Sequence, residues 1–242
     1  MKSDAKSTIE TGKAILGIEL GSTRIKAVLI DQENKPIAQG NHTWENQLVD
    51  GLWTYSIEAI WSGLQDCYAD LRSNVKNLYG IEIENLAAIG VSAMMHGYMP
   101  FNAKEEILVP FRTWRNTNTG RAAAALSDLF VYNIPLRWSI SHLYQAILDN
   151  EAHVKDIDFL TTLAGYVHWQ LTGEKVLGIG DASGMLPIDP ITHNYSAEMV
   201  AKFDKLIAPN RYSWTLQDIL PKVLSAGESA GVLTPEGSKR LD

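Results

Sequence analysis

Ile15-Leu16-Gly17-Ile18-Glu19-Leu20-Gly21-Ser22-Thr23-Arg24-Ile25-Lys26-Ala27-Val28-Leu29-Ile30-Asp31 is the stretch on which the reading of this 242-residue chain turns. Ala14 to Leu20 is a short apolar run, and Ile25 to Asp31 is a second, rich in β-branched residues; both read as strands. Only Gly21-Ser22-Thr23-Arg24 separates them. That is too short for the crossover a parallel pair requires, so the spacing predicts an antiparallel hairpin. Asn34-Lys35-Pro36 marks a second turn, and Pro36 to Gly40 adds a third strand. The chain therefore opens with a β-meander.

The first turn also carries chemistry. Glu19 ends the strand, and Gly21, Ser22, Thr23, Arg24 and Lys26 follow within one turn. Glycine lets backbone N–H groups approach an anion, hydroxyls add donors, a cation neutralises charge, and a carboxylate can hold a metal ion. It is neither a Walker loop, which closes into a helix, nor a dinucleotide fingerprint, whose glycines it lacks. The other reading is an ordinary β-turn with its polar residues in water.

Outward from the meander, Ile57, Ile60, Leu64, Tyr68, Leu71, Val75 and Leu78 recur at helical spacing. They predict an amphipathic helix from Thr54 to about Tyr79, stopped by Gly80. Leu86 to Ser92 reads as a buried strand that delivers the chain to Met94-Met95-His96-Gly97. Beyond Trp114 the pattern predicts helices over Gly120 to Val131, His142 to Glu151 with Ser141 as cap, Phe159 to Leu171, and Tyr195 to Ile207. Val176 to Ile188 places Gly178, Gly180, Asp181 and Gly184 between β-type residues. The class is α/β, a mixed sheet flanked by helices.

Apolar residues are 45% and charged residues 20% of the chain, the proportions of an ordinary globular protein. The net charge of −7, with no Lys/Arg run, leaves no electrostatic footprint for nucleic acid or an anionic membrane. Cys67 is the only cysteine, and no His/Cys cluster has metal-ligand spacing. Residues 1–13 read as a flexible polar leader without a secretory signal, and no apolar run reaches membrane-spanning length. A cytoplasmic protein is expected, with residues 14–242 as one large domain.

With these segments in view, ILGIELGSTRIKAVLID resembles the opening of the FGGY carbohydrate kinases, relatives of actin and Hsp70 chaperones. The resemblance continues in family order through Ile89-Gly90-Val91-Ser92, Met95-His96-Gly97, Pro110 to Thr119 (PFRTWRNTNT), Leu171-Thr172-Gly173-Glu174, Asp181-Ala182-Ser183-Gly184 and LPKVLSAGESAGVLTPEG. It implies the family's N-terminal, sugar-binding domain on a ribonuclease-H-like fold. It also implies ATP and Mg²⁺ as co-substrates and a ketose or polyol, xylulose-like, as phosphoryl acceptor. By resemblance, Gly21, Ser22, Thr23 and Lys26 lie at the ATP phosphates, Glu19 at the Mg²⁺, and Met95 and His96 at the sugar, with Trp114 and Asn116 as further sugar contacts. The family's base aspartate is expected beyond Asp242 and the adenine site in a C-terminal domain that would be the partner of this one. The chain alone is then expected to be inactive, and an exposed partner surface makes a homodimer an expectation.

Several positions depart from the family. Glu19 stands for a usual aspartate and could instead pair with Arg24 or Lys26. Met94 replaces a frequent glutamine, and Asn116 and Asn118 stand where aspartate and arginine are common, so sugar preference should differ. Trp114 reads equally as a stacking or a core residue, Arg115 as a ligand contact or a solvated cation, and His96 as a sugar contact or a structural histidine. Asp181 reads as a turn stabiliser near Ser183 and Gly184. A non-catalytic sugar-binding or regulatory module of the same fold, or a protein-interaction module, are the alternative functions.

Overall fold

The computed structural model describes residues 2–242, and side chains from Asp4 onward. It begins with helix α1 (Lys2–Glu10), inside the segment read as a flexible leader. Ala5 and Ile9, four residues apart, are both buried and give α1 a packing face. Two apolar residues among polar neighbours are too few to stand out as a periodic signal. Met1 lies outside the described residues.

In chain order follow β1 (Ile15–Leu20), β2 (Arg24–Ile30), β3 (Pro36–Thr43), β4 (Gln47–Val49), β5 (Leu52–Thr54), α2 (Ile57–Tyr79), β6 (Ala88–Ala93) and β7 (Met99–Phe101). Then come α3 (Gly120–Phe130), α4 (Ser139–Leu148), β8 (Phe159–Thr161), α5 (Leu163–Thr172), β9 (Val176–Gly178), α6 (Ile179–Ala182), β10 (Ile188–Asp189) and β11 (Asn194–Tyr195). The chain closes with α7 (Ala197–Ile207), α8 (Leu216–Ile219), β12 (Lys222–Leu224) and α9 (Pro235–Leu241). These elements group into two units, one built from the chain up to Asn46, Ser56–Met94 and Leu233–Asp242, the other from Gln47–Tyr55 and Met95–Val232. No helix among the described residues is long and apolar enough to cross a membrane.

The first unit carries the sheet β3-β2-β1-β6. β1–β2 and β2–β3 pair antiparallel, as the short turns demand, and β1–β6 pair parallel, with Ile18 opposite Val91. Alternation decides the faces: Leu16, Ile18, Leu20, Ile25, Ala27 and Leu29 are buried, whereas Gly17, Glu19 and Lys26 are exposed. Helix α2 packs on β3 and β2 through Ile60, Leu64, Cys67 and Leu71. Its start is capped by Ser56, which accepts from the Ala59 N–H at 3.0 Å, and Gly80 in the left-handed region ends it. Leu78, assigned to the apolar face by its spacing, is 47% exposed in the last turn.

The strand read as buried is a correction. β6 is the sheet edge, and Ala88, Gly90 and Ser92 are exposed. A strand is buried on both sides only where layers cover both faces, and an apolar run cannot report whether the second layer is there. Helix α9 completes this unit against α2, with Leu241 buried, the Gln65 amide donating to the Arg240 carbonyl at 2.9 Å, and Arg72 paired with Asp242.

In the second unit, β7 pairs with β8 and β9 with β12, while Leu126, Phe130, Leu143, Ile147, Phe203 and Ile219 sit in a common core. Two helix starts differ from expectation. α4 begins at Ser139, because the Ser139 hydroxyl donates to the Gly97 carbonyl and that of Ser141 to the Pro135 carbonyl, so neither serves as a cap. The segment Phe159–Thr161 is a strand whose partner is Met99–Phe101, and Thr162 caps the helix that follows by accepting from the Gly165 N–H. Tyr98 anchors this region: its hydroxyl lies 2.8 Å from His153 Nε2, and Arg112, ion-paired with Glu151, sits over its ring.

Beside Tyr98, His142 is fully buried, and neither ring nitrogen has a hydrogen-bond partner among the described residues. Burial foremost, then the Arg112 charge, pushes its pKa from 6.5 down to about 3. Because the folded value lies below the unfolded one, the unfolded chain holds an extra proton as pH falls below about 6.5, and stability drops by up to ~1.4 kcal/mol per pH unit. Urea denaturation at pH 5 against pH 7.5 should therefore show a loss about 2 kcal/mol smaller in His142→Phe than in the wild type. Equal losses would show that this ring does not titrate in that way.

Candidate functional site

The hairpin turn of the first unit is held open by its neighbours. The Gly21 N–H donates to the Arg24 carbonyl at 3.0 Å. Trp44 then pins the turn from β3's end, its indole N–H donating to the Gly21 carbonyl at 2.7 Å and its backbone N–H to the Thr23 carbonyl at 3.2 Å. With the carbonyls spoken for, Ser22 and Thr23 are left exposed at the tip. Glu19 and Lys26 stand opposite each other in register and pair at 3.8 Å, both about half exposed. An exposed pair of this kind contributes roughly 0–1 kcal/mol, so it is no obstacle to exchanging partners. They border an open depression of about 420 Å³ on the sheet, lined also by Gly17, Val28, Gly90 and Ser92.

Anion and metal chemistry both fit this turn. Mg²⁺ is usually held by one or two carboxylates plus substrate phosphates and water, and Glu19 supplies one carboxylate. Among the described residues no group of three or more His, Cys, Asp or Glu side chains could hold a metal unaided.

The second unit contains the other candidate residues. His96 adopts φ 72°, a left-handed backbone uncommon for a residue with a side chain. Its Nδ1 lies 3.3 Å from the Gly184 carbonyl, and no bond among the described residues engages Nε2. Burial, more than the nearby Arg137 charge, holds its pKa below the usual histidine value. A neutral ring that donates from Nδ1 keeps an acceptor lone pair on Nε2. Trp138 lies nearly parallel to the ring at 6.4 Å between centroids, and Met95 is 38% exposed beside it.

Gly184 makes this arrangement sterically allowed. A methyl group on its Cα would sit 2.6 Å from His96 Nδ1 and 2.9 Å from Met95 Cε. The segments Met95-His96-Gly97 and Asp181-Ala182-Ser183-Gly184 thus meet across 88 residues of sequence. Asp181, read as a turn stabiliser near Ser183 and Gly184, holds that turn with its backbone carbonyl, which accepts from the Gly184 N–H at 2.9 Å, while its carboxyl accepts from the Thr162 hydroxyl at 2.5 Å and Ser183 donates to the Gly180 carbonyl.

The chain as a whole is matched by known proteins. The FGGY family of carbohydrate kinases, N-terminal domain, matches residues 14–241. The chain belongs to the FGGY family. Xylulose kinase of Escherichia coli (strain K12) is 20% identical over 231 residues, covering 93% of this chain and 45% of that protein. That of Haemophilus influenzae is 22% identical, covering 91% and 46%. The FGGY chain therefore spans about half the length of the curated relatives it matches. Among solved structures, a ligand-bound xylulose kinase from Lactobacillus acidophilus superposes with TM-score 0.77 at 19% identity, covering 95% of this chain and 45% of that one. A glycerol kinase from Plasmodium falciparum with ADP gives 0.73 at 16%, covering 94% and 46%. The expected ribonuclease-H-like α/β fold is the fold of this FGGY domain.

Within the FGGY domain the remaining sequence candidates separate. Trp114 is 41% exposed and so is not a core residue. Asn116 is 4% exposed, and its amide spans the backbone of Trp53, accepting from the N–H and donating to the carbonyl, both at 2.8 Å. Arg115 stacks over the Trp53 ring at 3.6 Å. Asn116 and Arg115 together clasp the β4–β5 hairpin, whose turn at Asp50 and Gly51 has positive φ at both positions. Trp44 and Trp138 went unnoticed in the sequence, where nothing ties them to residues 21–23 or 96.

Proposed function

We propose that this chain is the N-terminal, acceptor-binding portion of an ATP-dependent carbohydrate kinase that phosphorylates a hydroxyl of a ketose or polyol. The observation that supports it most is His96, strained into the left-handed region, half-buried and oriented by Gly184 so that Nε2 faces no protein partner. A sugar hydroxyl can donate to that nitrogen, and Met95 and the exposed Trp114 supply apolar surface for carbon–hydrogen faces. Asn116 acts from behind, holding the segment that carries Trp114.

Gly21, Ser22, Thr23 and Lys26 would receive the nucleotide phosphates, with Glu19 at Mg²⁺. Mg²⁺, when bound with the nucleotide, neutralises charge on the phosphate oxygens. Lys26 would leave Glu19 for a phosphate oxygen, freeing the carboxylate. Phosphoryl transfer also needs a base for the acceptor hydroxyl. Asp181 spends its carboxyl on the Thr162 hydroxyl, so it is a poor candidate; the base is expected from a further domain.

Calorimetry of this chain against ketoses, pentoses and polyols tests the reading. Saturable binding of at least one, weakened about tenfold or more in His96→Ala, is expected from loss of one hydrogen bond in a half-buried site. A folded chain that binds none of them, or an alanine variant with unaltered affinity, would remove His96 from the acceptor site.

A further inference from the structure

The two segments that meet at His96 are joined through one serine. Ser139 opens α4, is wholly buried, and bonds to both of them. Its hydroxyl donates to the Gly97 carbonyl at 2.5 Å, and its backbone N–H donates to the Gly184 carbonyl at 3.4 Å. The next N–H, that of Ile140, donates to the Met185 carbonyl at 3.1 Å. The first amides of a helix have no partner within it, so these two can hold a neighbouring segment without weakening α4. Trp138, the residue before them, lies beside the His96 ring.

The two Ser139 bonds constrain His96 from different sides. Gly97 follows it directly at φ 111°, a region open to glycine and little else, and a residue without Cβ leaves the direction of its own carbonyl loosely determined. The Ser139 hydroxyl fixes that carbonyl. A side chain at Gly97 could not do so, since a Cβ would stand 2.7 Å from Phe111 Cε2 and 2.8 Å from the Arg112 carbonyl oxygen. On the other side, the Gly184 carbonyl meets the Ser139 N–H and, at 3.3 Å, His96 Nδ1. A carbonyl oxygen accepts only, through two lone pairs, so both neighbours donate to it and His96 carries its proton on Nδ1.

We propose that Ser139 is a positioning residue for His96, holding the ring in the Nδ1–H tautomer so that Nε2 faces the acceptor site as a nitrogen that accepts and cannot donate. The tautomer stands on the bonds to Gly97 and Gly184; its consequence for sugars rests on the reading of His96 as an acceptor-site contact. That consequence is a specificity. The position at Nε2 takes a sugar hydroxyl, which can donate, and refuses a carbonyl or ether oxygen, which cannot.

Nitrogen-15 NMR of the imidazole rings in the uniformly labelled chain at pH 7.5 reads the tautomer, with the His96 signals identified by their loss in His96→Ala. Wild type should show a protonated Nδ1 and an unprotonated Nε2. Ser139→Ala should move both nitrogens toward averaged values as the two tautomers exchange, and should weaken calorimetric binding of D-xylulose or xylitol about three- to tenfold, the scale of one hydrogen bond. Ser141→Ala is the matched control: its hydroxyl is equally buried in the same helical turn but donates to the Pro135 carbonyl. It should lower the thermal midpoint by a similar amount and leave tautomer and affinity as in wild type. Should Ser139→Ala not fold, Ser139→Cys, with a weak S–H donor in the same place, gives the same comparison. A wild-type His96 protonated on Nε2 would overturn the proposal. So would a wild-type tautomer in a folded Ser139 variant, or equal shifts in Ser139→Ala and Ser141→Ala. The expected tautomer pattern in a folded chain that binds neither sugar would uphold the action of Ser139 on His96 and remove the acceptor reading alone.

Discussion

Gly40→Ala is expected to cost the chain at least ~3 kcal/mol, enough to unfold a marginal domain. Gly40 lies on β3 where α2 crosses it. A Cβ there would overlap the Cys67 carbonyl oxygen and stand 2.5 Å from the Leu71 backbone nitrogen and 2.9 Å from Leu71 Cβ. Two of these atoms belong to the helix backbone and cannot move aside by a rotamer change. Relief would require the whole helix to lift from the sheet, uncovering Ile60, Leu64 and Leu71, all essentially fully buried. The matched control is Gly90→Ala on the edge strand β6, where a Cβ meets nothing within 4 Å. Urea midpoints should separate the two variants widely, with the control close to wild type. A Gly40→Ala midpoint equal to wild type would show that α2 and β3 tolerate a wider separation than their packing implies.

Gly184→Ala should do the reverse, sparing the fold and disabling the site. The added methyl would meet His96 Nδ1 at 2.6 Å, Met95 Cε at 2.9 Å and His96 Cε1 at 3.0 Å. All three are side-chain atoms that can swing away, so the stability cost should stay near ~1 kcal/mol, at the low end for overpacking. What is lost is orientation. With the ring displaced, Nδ1 no longer reaches the Gly184 carbonyl, and Nε2 leaves the direction proposed for a sugar hydroxyl. Sugar affinity should fall about 10- to 100-fold, the range for a lost or misaligned hydrogen bond to a buried partner. Calorimetric Kd and thermal midpoint, measured on the same preparation, give both halves of the comparison. Wild-type affinity in this variant would mean that Gly184 does not set the orientation of His96.

The difference between these two glycines was not legible in the sequence, where each is a glycine beside small or polar residues. Gly40 was read only as the end of a strand and Gly184 only as part of a familiar segment. Their roles follow from what lies 2 to 3 Å away, and those atoms come from 27 or more residues along the chain. The same holds for Asn116, expected as an open sugar contact. Its amide is absorbed by the Trp53 backbone, 63 residues earlier, and the exposed side chain of that segment is Trp114.

Local rules carried the features whose causes are local. Four residues between two apolar runs force an antiparallel hairpin, and the hairpin is present with Glu19 opposite Lys26. An apolar residue every third or fourth position from Ile57 makes a helix, and Ser56 and Gly80 bound it at both ends. The expected start of α4 failed because the Ser141 hydroxyl goes to the Pro135 carbonyl instead of a helix N–H. Phe159–Thr161 became a strand because Met99–Phe101 offers it a ladder.

By itself the sequence determined the α/β class, the opening meander, the long helix α2 and the family, because each rests on period, turn length or motif order within the chain. Only the tertiary structure decided that β6 is a half-exposed edge, that Trp44 pins the first hairpin turn, and that His96 is oriented by Gly184 beside Trp138. Burial, hydrogen-bond partnership and electrostatic surroundings are properties of atoms brought together across the chain, and no window of residues contains them.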